Sequence, residues 1–152
     1  MTQETDGRPR VVAEAKTWAG TRYHSCADVK GAGADCAMLL VRAFVDSGLL
    51  APFDPRPYPE DWHLHRSEER YLSYVTDRFV ETERPLPGDI AVFRYGRCYS
   101  HGALVTKVDP LTIIHAFQPA GCVIEEPLAA NLALADPKRP RRFFTLWPRA
   151  FE

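Results

Sequence analysis

The chain has 152 residues, 45% of them apolar, which suits one domain with a buried core. Its 19 basic and 20 acidic residues leave a net charge of −1, so nothing electrostatic points to nucleic acid or an anionic membrane as partner. No apolar run approaches the roughly 20 residues that cross a bilayer, and the opening MTQETDGRPR lacks the apolar stretch of a secretory signal. We therefore expect synthesis in the cytoplasm, with any action elsewhere depending on another carrier.

In chain order, residues 1–10 read as flexible and residues 11–19 as a short helix ended by Gly20. A loop holding Gly31-Ala32-Gly33-Ala34 leads to residues 36–47, CAMLLVRAFVDS, which are apolar on nearly every side. That is the pattern of a central buried helix, with Gly48 as its C-terminal cap. Residues 52–59 carry four prolines and form no regular element. Tyr71, Leu72, Val75 and Phe79 recur at helical spacing, which predicts an amphipathic helix over 66–79.

The second half changes character. Residues 90–95, 103–108, 113–117, 122–125 and 143–147 are short runs rich in β-branched and aromatic side chains, separated by turn residues. Helices first and strands afterwards imply an α+β domain with an antiparallel sheet. We read residues 1–152 as a single domain.

The chemistry centres on Cys36. The four cysteines, Cys26, Cys36, Cys98 and Cys122, are expected to be thiols, because a domain this large needs no staples and a chain without a signal folds in a reducing compartment. Cys36 opens the buried helix, where unpaired backbone N–H groups and the helix dipole favour a thiolate and stabilise an oxyanion. The dipole supplies roughly 0.3–1 kcal/mol, about 2 at most, which brings a thiol from near 8.5 only to about 7. The neighbouring Asp35 opposes it. A nucleophilic Cys36 thus requires a histidine partner. The competing reading is a small core hydrophobe.

Of the five histidines, His101 opens the run Gly102-Ala103-Leu104-Val105, and His115 sits in the apolar run Ile113-Ile114-His115-Ala116-Phe117. Nucleophile, base and orienting group would be Cys36, His101 and His115. Register decides the third. A two-residue turn at Asp109-Pro110 makes the numbers of facing residues add to 219, which sets Gln118 opposite His101 and sends His115 to the other face. A three-residue loop or a bulge restores His115. His63 and His65 alternate without convincing further ligands, and a zinc site from Cys26, Cys98 and two histidines has irregular spacing. We expect no metal and no cofactor.

Five pieces occur in order: Trp18-Ala19-Gly20-Thr21-Arg22-Tyr23, Gly33-Ala34-Asp35-Cys36-Ala37, Leu86-Pro87-Gly88-Asp89-Ile90-Ala91-Val92-Phe93, Ser100-His101-Gly102-Ala103-Leu104-Val105 and Ile114-His115-Ala116. Together they resemble the NlpC-type family of papain-like cysteine peptidases. The resemblance implies a papain-like α+β fold, with the nucleophile helix packed on a C-terminal antiparallel sheet. It implies hydrolysis of the bacterial cell-wall stem peptide, between D-glutamate and a diamino acid. By position, Cys36 is the nucleophile, His101 the base and His115 the orienting residue. Tyr23 and Asp35 line the site and hold the substrate's free amine, and Ser100 joins them. The chain departs from the family at Met38, usually a small residue, and at Arg22, often a proline. The segment Asp61-Trp62-His63-Leu64-His65-Arg66 and the missing signal resemble the phage tail-associated branch, which implies phage tail proteins as partners. Two rival readings are a structural tail component with an inactive site and an acyl-transfer hydrolase acting on a non-peptidoglycan amide.

Overall fold

The first helix, α1 (Glu4–Lys16), begins well before residue 11. Acidic Glu4 and Asp6 in its first turn suit the positive end of the helix dipole. Arg8 then anchors the segment, pairing with Glu4 and, at 2.8 Å, with Asp89, which is 1% exposed. The leader read as flexible is therefore helical from Glu4, held by an ion pair between distant residues that local pattern does not report. The computed structural model describes residues 3–58 and 69–148; the segment 61–66, with His63 and His65, lies outside the described residues.

A small hairpin, β1 (Asp28–Val29) and β2 (Gly33–Ala34), presents the start of α2 (Cys36–Asp46). Asp35 caps α2 by accepting from the Met38 N–H, and Gly48 follows in the left-handed conformation, φ +80°, which a glycine adopts without strain. Met38, Leu39, Leu40, Val41, Ala43 and Phe44 are buried, as the apolar pattern requires. Residues 51–58 hold no regular element. Helix α3 (Arg70–Thr76) ends before Phe79, short of the predicted end, and buries Tyr71, Leu72 and Val75.

Six strands form one antiparallel sheet: β3 (Val80–Thr82), β4 (Ile90–Tyr95), β5 (Cys98–Val108), β6 (Leu111–Phe117), β7 (Cys122–Pro127) and β8 (Arg141–Thr145), in the order β3-β8-β4-β5-β6-β7. One face carries Ile90, Val92, Leu104, Ile114, Ala116, Val123 and Phe144 against α2 and its neighbours. The opposite face carries Ala91, Phe93, Ala103, Val105 and Ile113 against Leu128 and Leu134 from the excursion after β7, which includes α4 (Leu132–Ala135). The sheet is thus covered on both sides, an α+β architecture.

Two bulges set the site. Between β5 and β6 the facing pairs Val108↔Leu111 and Lys107↔Thr112 give way to Val105↔Ile113 and Leu104↔Ile114, so Thr106 is the extra residue. Between β4 and β5, Phe93↔His101 gives way to Arg94↔Tyr99, so Ser100 is the extra residue. Each bulge re-aims the side chains that follow it.

Candidate active site

Thr106 answers the question of register. The turn is the tight one that places His115 on the wrong face, and the bulge then slips the pairing by one residue, so His115 returns to the face of His101. His101 Nε2 and His115 Nδ1 lie 2.8 Å apart. His115 Nε2 in turn lies 2.7 Å from Glu126 Oε2 on β7, and the Asn131 side chain donates to the same oxygen at 3.2 Å. The result is an unbroken chain of hydrogen bonds from His101 to Asn131. Gln118 lines the cleft beside His101, while His115 is fully buried behind it.

Cys36 arrives from the other side of the sheet. Its Sγ donates to the Ser100 carbonyl at 3.6 Å, at the bulge beside His101. The Gly102 backbone N–H and the Tyr71 hydroxyl reach the same sulfur. The ladder between β5 and β6 runs only to Leu104↔Ile114, and the cleft lies beyond that point. Cys36 and His101 both line it, with Tyr23, Asp35, Tyr58 and Tyr95 among the remaining walls. Its volume is about 170 Å³. With His101 Nε2 committed to His115, Nδ1 is the ring nitrogen left for the thiol.

The electrostatics differ from the thiolate expected of a helix start. Burial, and then the Asp35 charge, push the Cys36 thiol up to about 12. That rise amounts to roughly 4 kcal/mol against the thiolate, more than the ~0.3–1 kcal/mol that a helix end returns. The N–H and hydroxyl contacts pull the other way and do not offset it. Burial and the charges of His115 and Arg139 hold His101 well below the usual imidazole range. Burial also lowers His115, with Glu126 working against it. Both shifts favour a neutral thiol and a neutral imidazole at rest, against the thiolate that the helix start alone would favour.

Asp35 is 3% exposed and both its oxygens are engaged. Oδ1 accepts from Met38 N at 2.8 Å; Oδ2 accepts from Cys26 N at 2.7 Å and from the Tyr58 hydroxyl at 2.5 Å. It is at once the cap of α2 and a fixed negative charge in the wall of the cleft. Tyr23 and Ser100 also line the cleft, so the predicted site residues converge, with His115 one layer behind. Sequence reasoning missed Glu126, Tyr58 and Tyr71. The four cysteines are free thiols. Among the described residues no cluster of three histidine, cysteine or acidic side chains is arranged to hold a metal.

No protein-family model and no curated protein matches the chain by sequence. Solved structures do match by fold. NlpC1 from Trichomonas vaginalis superposes over 98% of the chain at TM-score 0.65 and 17% identity, the chain spanning 47% of that structure. The NlpC/p60 domain of the peptidoglycan hydrolase SagA gives TM-score 0.59 and 16% identity over 89% of this chain and 96% of that one. The peptidoglycan hydrolase RipB from Mycobacterium tuberculosis gives 0.58 and 16% over 95% of this chain and 67% of that one. The chain therefore has the papain-like α+β fold of NlpC/p60 domains, as its sequence pattern led us to expect.

Proposed function

We propose that the chain is a cysteine peptidase of the peptidoglycan stem peptide, cleaving a D-glutamyl–diamino acid type of bond through Cys36, His101 and His115. The observation that carries this reading is the hydrogen bond between His101 Nε2 and His115 Nδ1 at the edge of a cleft whose wall includes Cys36. Structural likeness to two peptidoglycan hydrolases supports the substrate class.

Because the thiol is neutral at rest, its proton leaves as the sulfur attacks. His101 Nδ1 takes that proton while Sγ bonds to the scissile carbonyl carbon. The imidazolium then protonates the leaving amine, the C–N bond breaks and a thioester remains. A water that gives its proton to His101 hydrolyses the thioester and frees Cys36. Backbone N–H groups at the start of α2 hold the oxyanion. Asp35, with Tyr23 and Ser100, receives the free ammonium of the stem peptide, and its buried charge is what makes that recognition worth its cost to the thiol. The carrier in this proposal is a phage tail, the setting suggested by the sequence resemblance to the phage tail-associated branch.

Purified sacculi incubated with the full chain test the reading. Stem-peptide fragments with a newly exposed amine are expected from the wild type and not from Cys36→Ala. Sacculi left intact by the wild type, while a simple amide or thioester is hydrolysed, would move the activity outside the cell wall.

A further inference from the structure

A hydrogen-bonded pair of neutral imidazoles has two arrangements. In one, His101 donates from Nε2 and keeps a lone pair on Nδ1. In the other, His101 accepts at Nε2, carries its proton on Nδ1 and has no base to offer the thiol. The His101–His115 contact at 2.8 Å permits both. Something further out has to choose between them.

We propose that Glu126, held by Asn131, is a fourth member of this proton path: a positioning residue that sets the tautomer of His115 and so keeps the basic lone pair of His101 on Nδ1. The proposal rests on the peptidase reading for its activity measurement and on geometry for the rest. A carboxylate only accepts hydrogen bonds. At 2.7 Å from Glu126, His115 Nε2 therefore carries the proton, and its Nδ1 carries the lone pair. His101 must then donate from Nε2, which leaves Nδ1 free to accept the Cys36 proton. Nothing is oxidised or reduced; one proton moves from Sγ to His101 Nδ1, and the imidazolium that forms faces a path ending in a carboxylate. The same carboxylate counters the burial that disfavours a charged ring at His115.

The surroundings fix Glu126 in place. Its partner across the β6–β7 ladder is Ile113, two residues from His115 and on the same face. Its Oε2 also accepts from Asn131 Nδ2 at 3.2 Å, and Asn131 Oδ1 is taken by the Leu134 N–H as the cap of α4, so the amide orientation is determined. Leu128 and Leu134 bury the excursion against the sheet. In this reading the segment after β7 covers one face of the sheet and also holds one carboxylate on one histidine.

Nitrogen-15 NMR of the imidazole rings in the full-length chain tests this without any substrate. The wild type is expected to show both His101 and His115 protonated on Nε2. Glu126→Gln, whose amide either donates or accepts, is expected to shift His101 partly to the Nδ1–H form, and Glu126→Asp to keep more of the wild-type pattern. On sacculi, kcat of Glu126→Gln is expected to fall at least about tenfold with KM little changed. Wild-type His115 protonated on Nδ1, or tautomers unchanged in Glu126→Gln, would overturn the proposal. Should Glu126→Gln fail to fold, the wild-type spectrum and Glu126→Asp still decide it. Absence of hydrolysis by the wild type with the expected tautomers would count against the peptidase reading and leave the positioning role standing.

Discussion

His101 and His115 meet across a strand pair that, paired regularly, would keep them on opposite faces. Thr106 supplies the slip, and the two rings come within 2.8 Å. His115 offers an acceptor to His101, so the shape of its replacement should matter. In His115→Asn the side-chain oxygen sits near the place of Nδ1 and keeps that acceptor, whereas His115→Phe removes it. Hydrolysis of sacculi should therefore fall by roughly 10²–10⁴-fold in His115→Phe, the range of general acid–base catalysis, and by less in His115→Asn. Equal losses from two folded variants would show that the acceptor at residue 115 does not orient the base.

Much of this site was legible beforehand, and the unread parts share a cause. The strand over 90–95, the buried helix after Cys36 and the glycine after it all follow from periodicity and composition, which are local. The choice between His115 and Gln118 was not local, because it turned on a bulge whose residue, Thr106, carries no turn signature. Glu126 was closer to readable. Once the turn 119–121 pairs Phe117 with Cys122, His115 faces Ile124, and Glu126 shares that face two residues on. A buried histidine needs a partner, and that register offers one. Tyr71 and Tyr58 were unreadable because α3 reaches the Cys36 sulfur, and the proline-rich loop reaches the cleft, only through packing of the whole domain.

The neutral thiol makes a prediction opposite to that of an activated cysteine. A group whose folded value is raised to about 12 stays protonated across the neutral range. Alkylation of Cys36 by iodoacetamide in the absence of substrate should thus be slower at pH 7 than that of a free thiol. It should climb about tenfold per pH unit through pH 10 without a plateau, because only the thiolate reacts. A plateau near neutral pH would mean that His101 already holds the proton at rest.

Gly102 follows His101 directly, and the space beside it is taken. A Cβ built there would lie 1.9 Å from the Tyr71 hydroxyl oxygen and 2.8 Å from Leu40 Cδ1. The glycine is what lets α3 bring its tyrosine onto the sulfur. Gly102→Ala should cost about 1–3 kcal/mol of stability as an overpacked site, read as a lower Tm, and it should slow Cys36 alkylation by displacing the hydroxyl. Tyr71→Phe should slow alkylation with a smaller change in Tm, since it removes the hydroxyl and leaves the ring. Unchanged alkylation in Tyr71→Phe would show that the hydroxyl does not act on the thiol.

Asp35 carries two roles that one substitution separates. Asparagine caps helices about as well as aspartate, so Asp35→Asn should keep the bond from the Met38 N–H and preserve α2. Its amide nitrogen cannot accept from Cys26 N as Oδ2 does, which should cost about 1–3 kcal/mol for a buried donor left unpaired. The charge that helps push the Cys36 thiol up is gone in the variant. Alkylation at pH 8 should therefore become faster. Cleavage of a stem peptide bearing a free amine should become slower if Asp35 receives the ammonium, and a peptide with that amine acetylated should be cleaved no better by the wild type than by the variant. The two readouts move in opposite directions only if Asp35 both opposes the thiolate and binds the substrate. Faster alkylation with unchanged cleavage of the free-amine peptide would leave it a helix cap with an electrostatic side effect and assign ammonium binding to other walls of the cleft.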